Sequence, residues 1–450
     1  MEVAFYRRFS LYSHHFTHRF LLTGMLKSVI RDLDSKLKWD IFWVAIIQMS
    51  NYLFPFITTA YLIRTIGLDL FGKTEFATLF CLYFVAITNY EFHITGTRSL
   101  SRISDQPDRI SDTVSILVTS KVYLFIASTI LFVAISFIWP ERFMNWLMYS
   151  SYLIVAGNLI YQPYIFQGLG KVRVLVFLNF LIKAVSTALI FIFIRSRQDY
   201  EQINLNYSVS FILIGAVSIL LVKYYFSIRF TWQKFSTVLT CLKEGLYIFL
   251  TNGLLFQLTM NLSAIMLGLF LSSDVLGSYS AALKIIVALH VIVLLPLKQS
   301  FFPTLSKDWI SDKAAYLKKF RIYVFILLWC NIVLAAGILL FAPYIVKIVY
   351  GGNYERIIYV MRMLSFFPLL SSLASAYISD GLIVIGKDRL VFLIQVLAAM
   401  VSILSLLVFL PIFGLTGALI IKITVDVFTL TSGIILYKKA IKNNIARIQE

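Results

Sequence analysis

Six basic side chains lie inside long apolar segments or close to their ends: Arg98, Lys121, Lys183, Lys284, Arg362 and Lys422. A cation at the centre of a bilayer costs roughly 2.5–3.5 kcal/mol on insertion scales, so it needs a polar surrounding or a route to the interface. Guanidinium groups bind phosphate through paired hydrogen bonds, and ammonium groups bind it as point charges. These residues therefore indicate a polar cavity for an anionic ligand.

Other interpretations of these cations stay open. Lys121, Lys284 and Arg362 are near enough to segment ends for their side chains to reach the interface, whereas Lys183 and Lys422 are more central. Arg98 follows an apolar segment within "NYEFHITGTRSLSRISD" (89–105). It is either an anion ligand at the cytoplasmic mouth of the cavity or part of an ordinary solvated basic loop.

Three titratable side chains are candidates for coupling transport to an ion: Asp380, Asp426 and His290. Few acidic residues accompany the cations, so we expect a net positive interior. Asp426 is four residues from Lys422 on one helix face, so the two residues either neutralise each other or divide ion and ligand binding. His290 titrates near neutral pH or is a packed, hydrogen-bonded histidine. H+ and Na+ are the candidate coupling ions, and no cofactor is expected.

The composition indicates an all-α polytopic membrane protein. Of the 450 residues, 60% are hydrophobic and 14% are charged, and the mean hydropathy is +0.85. Apolar runs of about 20 residues can each cross a hydrocarbon core as a helix. A β-barrel would alternate apolar and polar residues in runs of about 10, which the segment 114–139 does not. The net charge of +18 is explained by basic cytoplasmic loops, and nucleic acid is not an expected partner.

We predict twelve membrane spans, at 41–63, 75–96, 114–139, 146–166, 173–194, 206–226, 245–271, 278–301, 321–342, 357–384, 389–410 and 415–436. Polar residues and prolines within 146–166 and 357–384 suggest that either span is broken or lines a cavity. Most Lys and Arg fall on one side when both termini are cytoplasmic.

The predicted organisation divides the chain into five parts. These are a cytoplasmic extension (1–38), a six-helix lobe (39–226), a cytoplasmic linker (227–244), a second six-helix lobe (245–437) and a basic tail (438–450). Met25 is an alternative start, so residues 1–24 are assigned no function. Cys81, Cys241 and Cys330 have no metal-binding or disulfide pattern, which predicts free thiols.

An internal repeat relates the two lobes. "DLFGKTEFA" (69–77) resembles "DVLGSYSAA" (274–282), and "GKVRVLVFL" (170–178) resembles "GKDRLVFLI" (386–394). Both offsets equal six spans, so the lobes are expected to be parallel and to face each other across a central cavity.

The chain resembles the Wzx-type polysaccharide flippases of the multidrug/oligosaccharidyl-lipid/polysaccharide (MOP) exporter superfamily. The resemblance lies in "IGLDLFGKTEFA" (66–77) and "YEFHITGTRSLSR" (90–102), where the matching residues are Gly72, Phe76, Ala77, Thr97, Arg98, Leu100 and Ser101. The chain departs from the family pattern at Glu91, His93 and Gly96. The plan of twelve spans in two lobes extends the resemblance over about residues 39–437 and implies a MATE-like fold.

The resemblance implies a transporter, not an enzyme. Its cargo would be an undecaprenyl-diphosphate-linked oligosaccharide, turned from the inner to the outer leaflet of the bacterial cytoplasmic membrane by alternating access. Membrane lipids are further partners, and family analogy suggests a polysaccharide polymerase and a chain-length regulator. Three rivals are weighed: a cation-coupled multidrug exporter, expected to need an acidic cavity; a peptidoglycan-precursor flippase, expected to have fourteen spans; and a membrane polymerase or glycosyltransferase, expected to have large outward loops.

Overall fold

The computed structural model describes residues 53–449, so the extension 1–38 and most of the predicted span 41–63 lie outside the described residues. The described part is built from helices joined by short turns. The helices of the first half (53–226) are α1 (Leu53–Ile66), α2 (Leu68–Asn89), α3 (Phe92–Arg102), α4 (Pro107–Ile138), α5 (Pro140–Phe143), α6 (Trp146–Ile160), α7 (Pro163–Gly168), α8 (Val172–Phe193) and α9 (Gln202–Phe226), with a 3₁₀ turn at Arg197–Glu201.

The second half follows an extended linker. Its helices are α10 (Phe235–Ile248), α11 (Phe256–Phe270), α12 (Ser273–Ser311), α13 (Lys313–Tyr350), α14 (Glu355–Met363), α15 (Phe367–Tyr377) and α16 (Asp388–Gln449), with π-helical segments at Phe249–Leu255 and Ile378–Leu382. Pro411 and Gly414, whose φ is 56°, bend α16 between the predicted spans 389–410 and 415–436.

The described residues confirm a helical, multi-pass membrane protein. They contain nine helical stretches long and apolar enough to span a bilayer, one of which holds both spans of α16. The predicted span 146–166 is not among the nine because it is divided into α6 and the six-residue α7. The total of twelve crossings and the two-lobe layout stay predictions.

Both spans for which a break or a cavity lining was predicted are interrupted in the structure. In 146–166 the helix stops at Ile160, because Pro163 lacks an N–H and disfavours helical geometry at Gln162. In 357–384 the chain leaves helical geometry between α14 and α15, and the π-helical segment with Asp380 follows. Such interruptions leave backbone groups that side chains must satisfy.

The predicted span 75–96 is not one continuous helix. It is divided between α2 and α3 by Tyr90 and Glu91, which have left-handed φ values of 45° and 55°. Two adjacent non-glycine residues in this region cost roughly 1–3 kcal/mol each, and such geometry is typical of functional segments. The Tyr90 ring stacks on Phe249 at 4.4 Å, and its hydroxyl donates to the carbonyl of Leu242 at 2.9 Å. The break thus lies against a π-helical segment of the second half.

The repeated motifs "GKVR" and "GKDR" form the same type of turn in the structure. Gly170 and Gly386 have φ values of 74° and 73°. The following lysine N–H groups donate to carbonyls five residues earlier, Lys171 to Phe166 at 2.7 Å and Lys387 to Leu382 at 2.8 Å. Both are the turn in which a left-handed glycine ends a helix.

The buried apolar side chains show where the halves meet. The largest cluster contains residues of both halves and surrounds the predicted outward end, with Phe71 and Val155 from the first half and Tyr279 and Ala418 from the second. Near the predicted cytoplasmic end, Tyr316 and its neighbours form a cluster within the second half. The first half has two clusters at this end, one around Leu100 and one around Phe166. Helix α10 of the second half packs against the cluster around Leu100. The largest shared core therefore lies at the outward end, and at the cytoplasmic end the halves meet through α10.

Candidate functional site

Two helices of the repeat, α2 and α12, cross at the predicted outward end. A Cβ atom on Gly72 would lie 1.7 Å from the carbonyl oxygen of Ser273, and one on Gly277 would lie 2.2 Å from that of Leu68. The two glycines occupy the same position in "DLFGKTEFA" and "DVLGSYSAA". Their missing side chains let the two backbones touch.

Arginines hold this end of the bundle together. Arg197 pairs with Asp69 at the start of α2 at 2.8 Å, and Arg356 pairs with Asp274 at the start of α12. Arg64 of α1 donates to two carbonyl groups in the last turns of α13, at 2.7 and 2.8 Å, and so joins the first half to the second. These side chains are exposed, so each contact contributes little alone.

An ion pair also joins α2 and α12, about one helical turn further into the bundle than Gly72. Lys284 Nζ of α12 lies 2.5 Å from Glu75 Oε1 of α2, and it also lies 4.9 Å from the centre of the Phe71 ring. The Glu75 side chain is 15% exposed and that of Lys284 is 31% exposed. Lys284, predicted as a ligand for an anionic cargo, is therefore bound to a carboxylate in this conformation.

Several of the predicted site residues lie in a row of polar side chains in the second half. We call this row the polar strip, and its members are Lys422, Asp426, His290, Ser372, Ser375, Lys298, Asp380 and Tyr323. Lys422 Nζ lies 3.1 Å from Asp426 Oδ1 and 4.8 Å from the Phe367 ring centre. The other side of that ring meets His290, edge to face, at 5.8 Å between centroids. His290 Nε2 and Ser372 Oγ share a hydrogen bond of 2.8 Å.

The polar strip continues two turns further along α12. Lys298 Nζ contacts Ser375 Oγ at 3.2 Å and lies 3.4 Å from Asp380 Oδ1. Tyr323 donates its hydroxyl hydrogen to Asp380 Oδ2 at 2.8 Å. Asp380 is fully buried, whereas the Lys298 side chain is 34% exposed. The strip thus connects a buried carboxylate to a lysine at the surface of the protein.

Two carboxylate oxygens of the strip retain free lone pairs. Asp426 Oδ2 and Asp380 Oδ1 are buried and accept no hydrogen bond, although Asp380 Oδ1 has its ion pair with Lys298. Buried polar atoms are nearly always satisfied in folded proteins, so these two atoms are positions where a proton, a cation or water can bind. The described residues contain no group of three or more His, Cys, Asp or Glu side chains that could hold a metal ion.

Lys121 has a different setting in the first half. It is 1% exposed, and its ammonium group donates to the carbonyl oxygens of Asn158 at 2.6 Å and Tyr161 at 3.2 Å and to Gln162 Oε1 at 3.4 Å. These oxygens belong to the interruption between α6 and α7. A cation is stabilised at a helix C-terminus, where carbonyl groups are unpaired. In this conformation Lys121 therefore donates hydrogen bonds to carbonyl groups at the break between α6 and α7.

The remaining predicted cations lie elsewhere. Arg98 is exposed on α3, which packs on α7 so closely that a Cβ on Gly168 would lie 3.1 Å from the carbonyl oxygen of Thr97. Lys183 is half-buried on α8, and Arg362 is exposed on α14. The six predicted cations therefore do not converge on one point, and the structure groups only Lys422, Asp426, His290 and Asp380.

Glu75, Lys298 and Tyr323 were missed as site residues at the sequence level. Glu75 is the first residue of a predicted span, and Lys298 lies close to the end of its own span. The available signal was Pro296, which interrupts the hydrogen bonds of α12 beside Lys298. Tyr323 carries no such signal.

Replacing Lys121 by methionine should destabilise the protein. Methionine preserves most of the volume but leaves the carbonyls of Asn158 and Tyr161 unsatisfied, at a cost of about 1–3 kcal/mol each in a buried site. Thermal unfolding in detergent measures the loss, and Lys223→Met on the exposed end of α9 is the control. Equal melting temperatures for the two variants would show that Lys121 does not stabilise the interruption.

Comparison with known proteins identifies the family. The family model described as "Polysaccharide biosynthesis protein" matches residues 37–309, which is more than half of the chain. The chain belongs to the polysaccharide biosynthesis protein family. A relative from Escherichia coli (strain K12), named "Putative O-antigen transporter", is 25% identical over 342 residues, which cover 76% of this chain and 82% of the relative.

Solved structures resemble the fold of this family member. An inward-facing multidrug resistance MATE family transporter of the MOP superfamily gives a TM-score of 0.68 at 13% identity, covering 89% of this chain and 95% of the other. The lipid II flippase MurJ in an inward closed conformation gives 0.67 at 12% identity, covering 88% and 87%. These likenesses confirm the predicted MATE-like fold.

Proposed function

We propose that this member of the polysaccharide biosynthesis family is a flippase for polyprenyl-diphosphate-linked oligosaccharide repeat units, such as those of O antigen. It would work in a bacterial cytoplasmic membrane, with both termini in the cytoplasm, and without chemical change to its cargo. The single observation that carries the proposal is the family match, joined by a relative named as an O-antigen transporter over 82% of its length. A polymerase and a chain-length regulator remain proposed partners by family analogy alone.

The physical demands of this cargo support the proposal. A diphosphate and several sugars cannot cross hydrocarbon, but a hydrated cleft open sideways to lipid can shield them while the polyprenyl chain stays in the bilayer. In this structure the halves share their largest core at the predicted outward end. At the other end the cluster around Tyr316 contains residues of the second half only, and the first half contacts the second through α10. The larger shared core at the outward end supports a conformation that receives cargo from the cytoplasm.

The distribution of charge also supports an anionic cargo. Among the described residues, the ion pairs that occupy Lys284, Lys298 and Lys422 all use acids of the predicted spans. In the first half, Lys121 is surrounded by neutral oxygens, and Arg98 is exposed on α3. We propose that these first-half cations recognise the diphosphate, with Lys183 of α8 and the exposed Arg362 of the second half as further cationic contacts.

Arg98→Ala and Lys183→Ala should each lower surface polysaccharide without lowering protein abundance, because each removes a cationic contact to the diphosphate. Surface-polysaccharide gels and membrane immunoblots measure the two quantities in a host whose own gene is deleted. Arg102→Ala is the matched control for Arg98→Ala, since Arg102 is exposed one turn further along α3. Normal export by both test variants would show that these positions do not bind cargo.

We further propose that the polar strip couples flipping to H+ or Na+. Asp426→Asn should abolish gradient-driven transport in proteoliposomes while leaving exchange without a gradient measurable, because asparagine keeps the shape but loses the ionisable oxygen. The probe is lipid-linked repeat unit extracted from a polymerase-deficient host. Asp308→Asn is the control and should keep gradient-driven transport. Asp308 lies near the C-terminal end of α12, where it forms an ion pair with Lys319 of α13. Gradient-driven transport by Asp426→Asn would mean that Asp426 only neutralises Lys422.

A further inference from the structure

The segment that joins the halves is both aromatic and basic. Residues 223–235 read "KYYFSIRFTWQKF", which we call the linker strip. Four of its aromatic side chains are strongly exposed: Tyr224 is 79% exposed, Phe230 51%, Trp232 57% and Phe235 59%. Exposed aromatic residues of a membrane protein are typical of the level of the lipid headgroups, where a ring meets apolar chains and its polar atom meets water.

Between the end of α9 at Phe226 and the start of α10 at Phe235, the linker strip is non-helical and lies along α4. The N–H groups of Arg229 and Thr231 donate to the hydroxyl oxygens of Ser111 and Ser115 at 3.4 and 3.1 Å. The ring of Tyr123, further along α4, packs on Trp232 and Phe235 with centroids 5.6 and 5.5 Å apart. The strip is therefore held against one helix of the first half.

Alternate backbone N–H groups of the strip remain unpaired. The N–H groups of Phe230 and Trp232 alternate with the two that donate to serines of α4. Among the described residues neither has a hydrogen-bond acceptor. Hydrocarbon would leave such donors unsatisfied, so the strip must lie where water or phosphate oxygens are present.

The positive charge of the linker strip favours phosphate oxygens over water as the acceptors of these N–H groups. Lys223, Arg229 and Lys234 are exposed, and no carboxylate among the described residues pairs with them. Lys171 of the neighbouring turn lies 5.3 Å from the Tyr225 ring and adds a fourth cation. Basic residues close to a bilayer attract anionic headgroups.

We infer that the linker strip is a membrane-surface anchor that binds the headgroups of anionic phospholipids in the leaflet next to the linker. The spacing of its cations favours lipid over the cargo diphosphate. Arg229 and Lys234 are five residues apart in a non-helical segment that can span up to about 16 Å at roughly 3.3 Å per residue, which is more than one diphosphate bridges. Several lipid headgroups side by side match that spacing. The inference does not depend on the transported substrate.

The test compares lipid contacts at Trp232. The full-length protein is placed in nanodiscs that contain brominated phosphatidylglycerol or brominated phosphatidylcholine, and fluorescence quenching gives the relative association constant of the two lipids. The signal of Trp232 is the difference from Trp232→Phe. We expect a preference for phosphatidylglycerol that falls several-fold, towards one, in the double variant Arg229→Gln/Lys234→Gln. Monodispersity and melting temperature confirm that the variants are folded.

The control removes the same charge elsewhere. Lys318→Gln/Arg321→Gln changes two exposed basic residues of α13, at the same predicted side of the membrane, and should keep the preference at Trp232. Equal quenching by both lipids in the unmodified protein would overturn the inference, as would an unchanged preference in the Arg229→Gln/Lys234→Gln variant. Loss of the preference on adding undecaprenyl diphosphate at low molar ratio would also overturn it, because the site would then belong to the cargo.

Discussion

Gly72→Ala should abolish export and destabilise the protein by about 1–3 kcal/mol, the usual cost of forcing an extra group into a packed contact. The added Cβ would lie 1.7 Å from the carbonyl oxygen of Ser273, which is backbone and cannot rotate away. The α2–α12 crossing must therefore separate, and the conformation with a shared core at the outward end becomes less favourable. Thermal unfolding and surface-polysaccharide gels measure the two effects.

Gly337→Ala is the matched control for this prediction. Gly337 lies within α13, and an added Cβ meets no heavy atom within 4 Å. Alanine there should be neutral or stabilising, because glycine in a helix interior costs roughly 0.5–1 kcal/mol relative to alanine. If Gly72→Ala behaves like Gly337→Ala in both measurements, the close approach of α2 and α12 does not exist in the folded protein.

The second large effect should come from exchanging the charges of Glu75 on α2 and Lys284 on α12. Glu75→Lys and Lys284→Glu each place like charges together, and each should lose export and about 1–3 kcal/mol of stability, less than a fully buried pair would lose because Lys284 is 31% exposed. The double exchange Glu75→Lys/Lys284→Glu restores opposite charges and should recover most of both losses. Melting temperatures and export by the four proteins form a double-mutant cycle.

Asp308 and Lys319 provide the control pair for this cycle. Their side chains are 12% and 33% exposed, close to the values for Glu75 and Lys284, but both belong to the second half. Their single exchanges should cost stability with little loss of export per folded protein, because no contact between the halves changes. Losses that simply add in the Glu75/Lys284 double exchange would contradict an interaction between these two residues.

Sequence predicted best what depends on near neighbours. The pairing of Lys422 with Asp426 follows from a spacing of four residues on a helix, and the interruption before Pro163 follows from the chemistry of proline. The glycine turns were visible as an echo between the halves and have matching hydrogen bonds. In each case the cause lies within a few residues of the effect.

Contacts between distant helices were not predictable in the same way. Glu75 and Lys284 are 209 residues apart, and the apolar pattern of a membrane helix does not reveal which helix it faces. For the same reason the cation count overstated the free positive charge of the interior, since Lys284 and Lys422 have carboxylate partners. Lys121 looked like a cargo ligand because the carbonyl groups that it satisfies come from a break in another helix.

The most direct test of the flippase proposal is to locate the lipid-linked repeat unit after the gene is deleted in its native host. An impermeant sugar-modifying probe on intact spheroplasts labels units in the outer leaflet, and polysaccharide gels report the surface polymer. We predict units trapped in the inner leaflet and loss of surface polymer, both reversed by the intact gene. Units that reach the outer leaflet normally would contradict the proposal: unpolymerised units there would indicate a polymerase, and an unchanged surface with altered drug sensitivity would indicate a multidrug exporter.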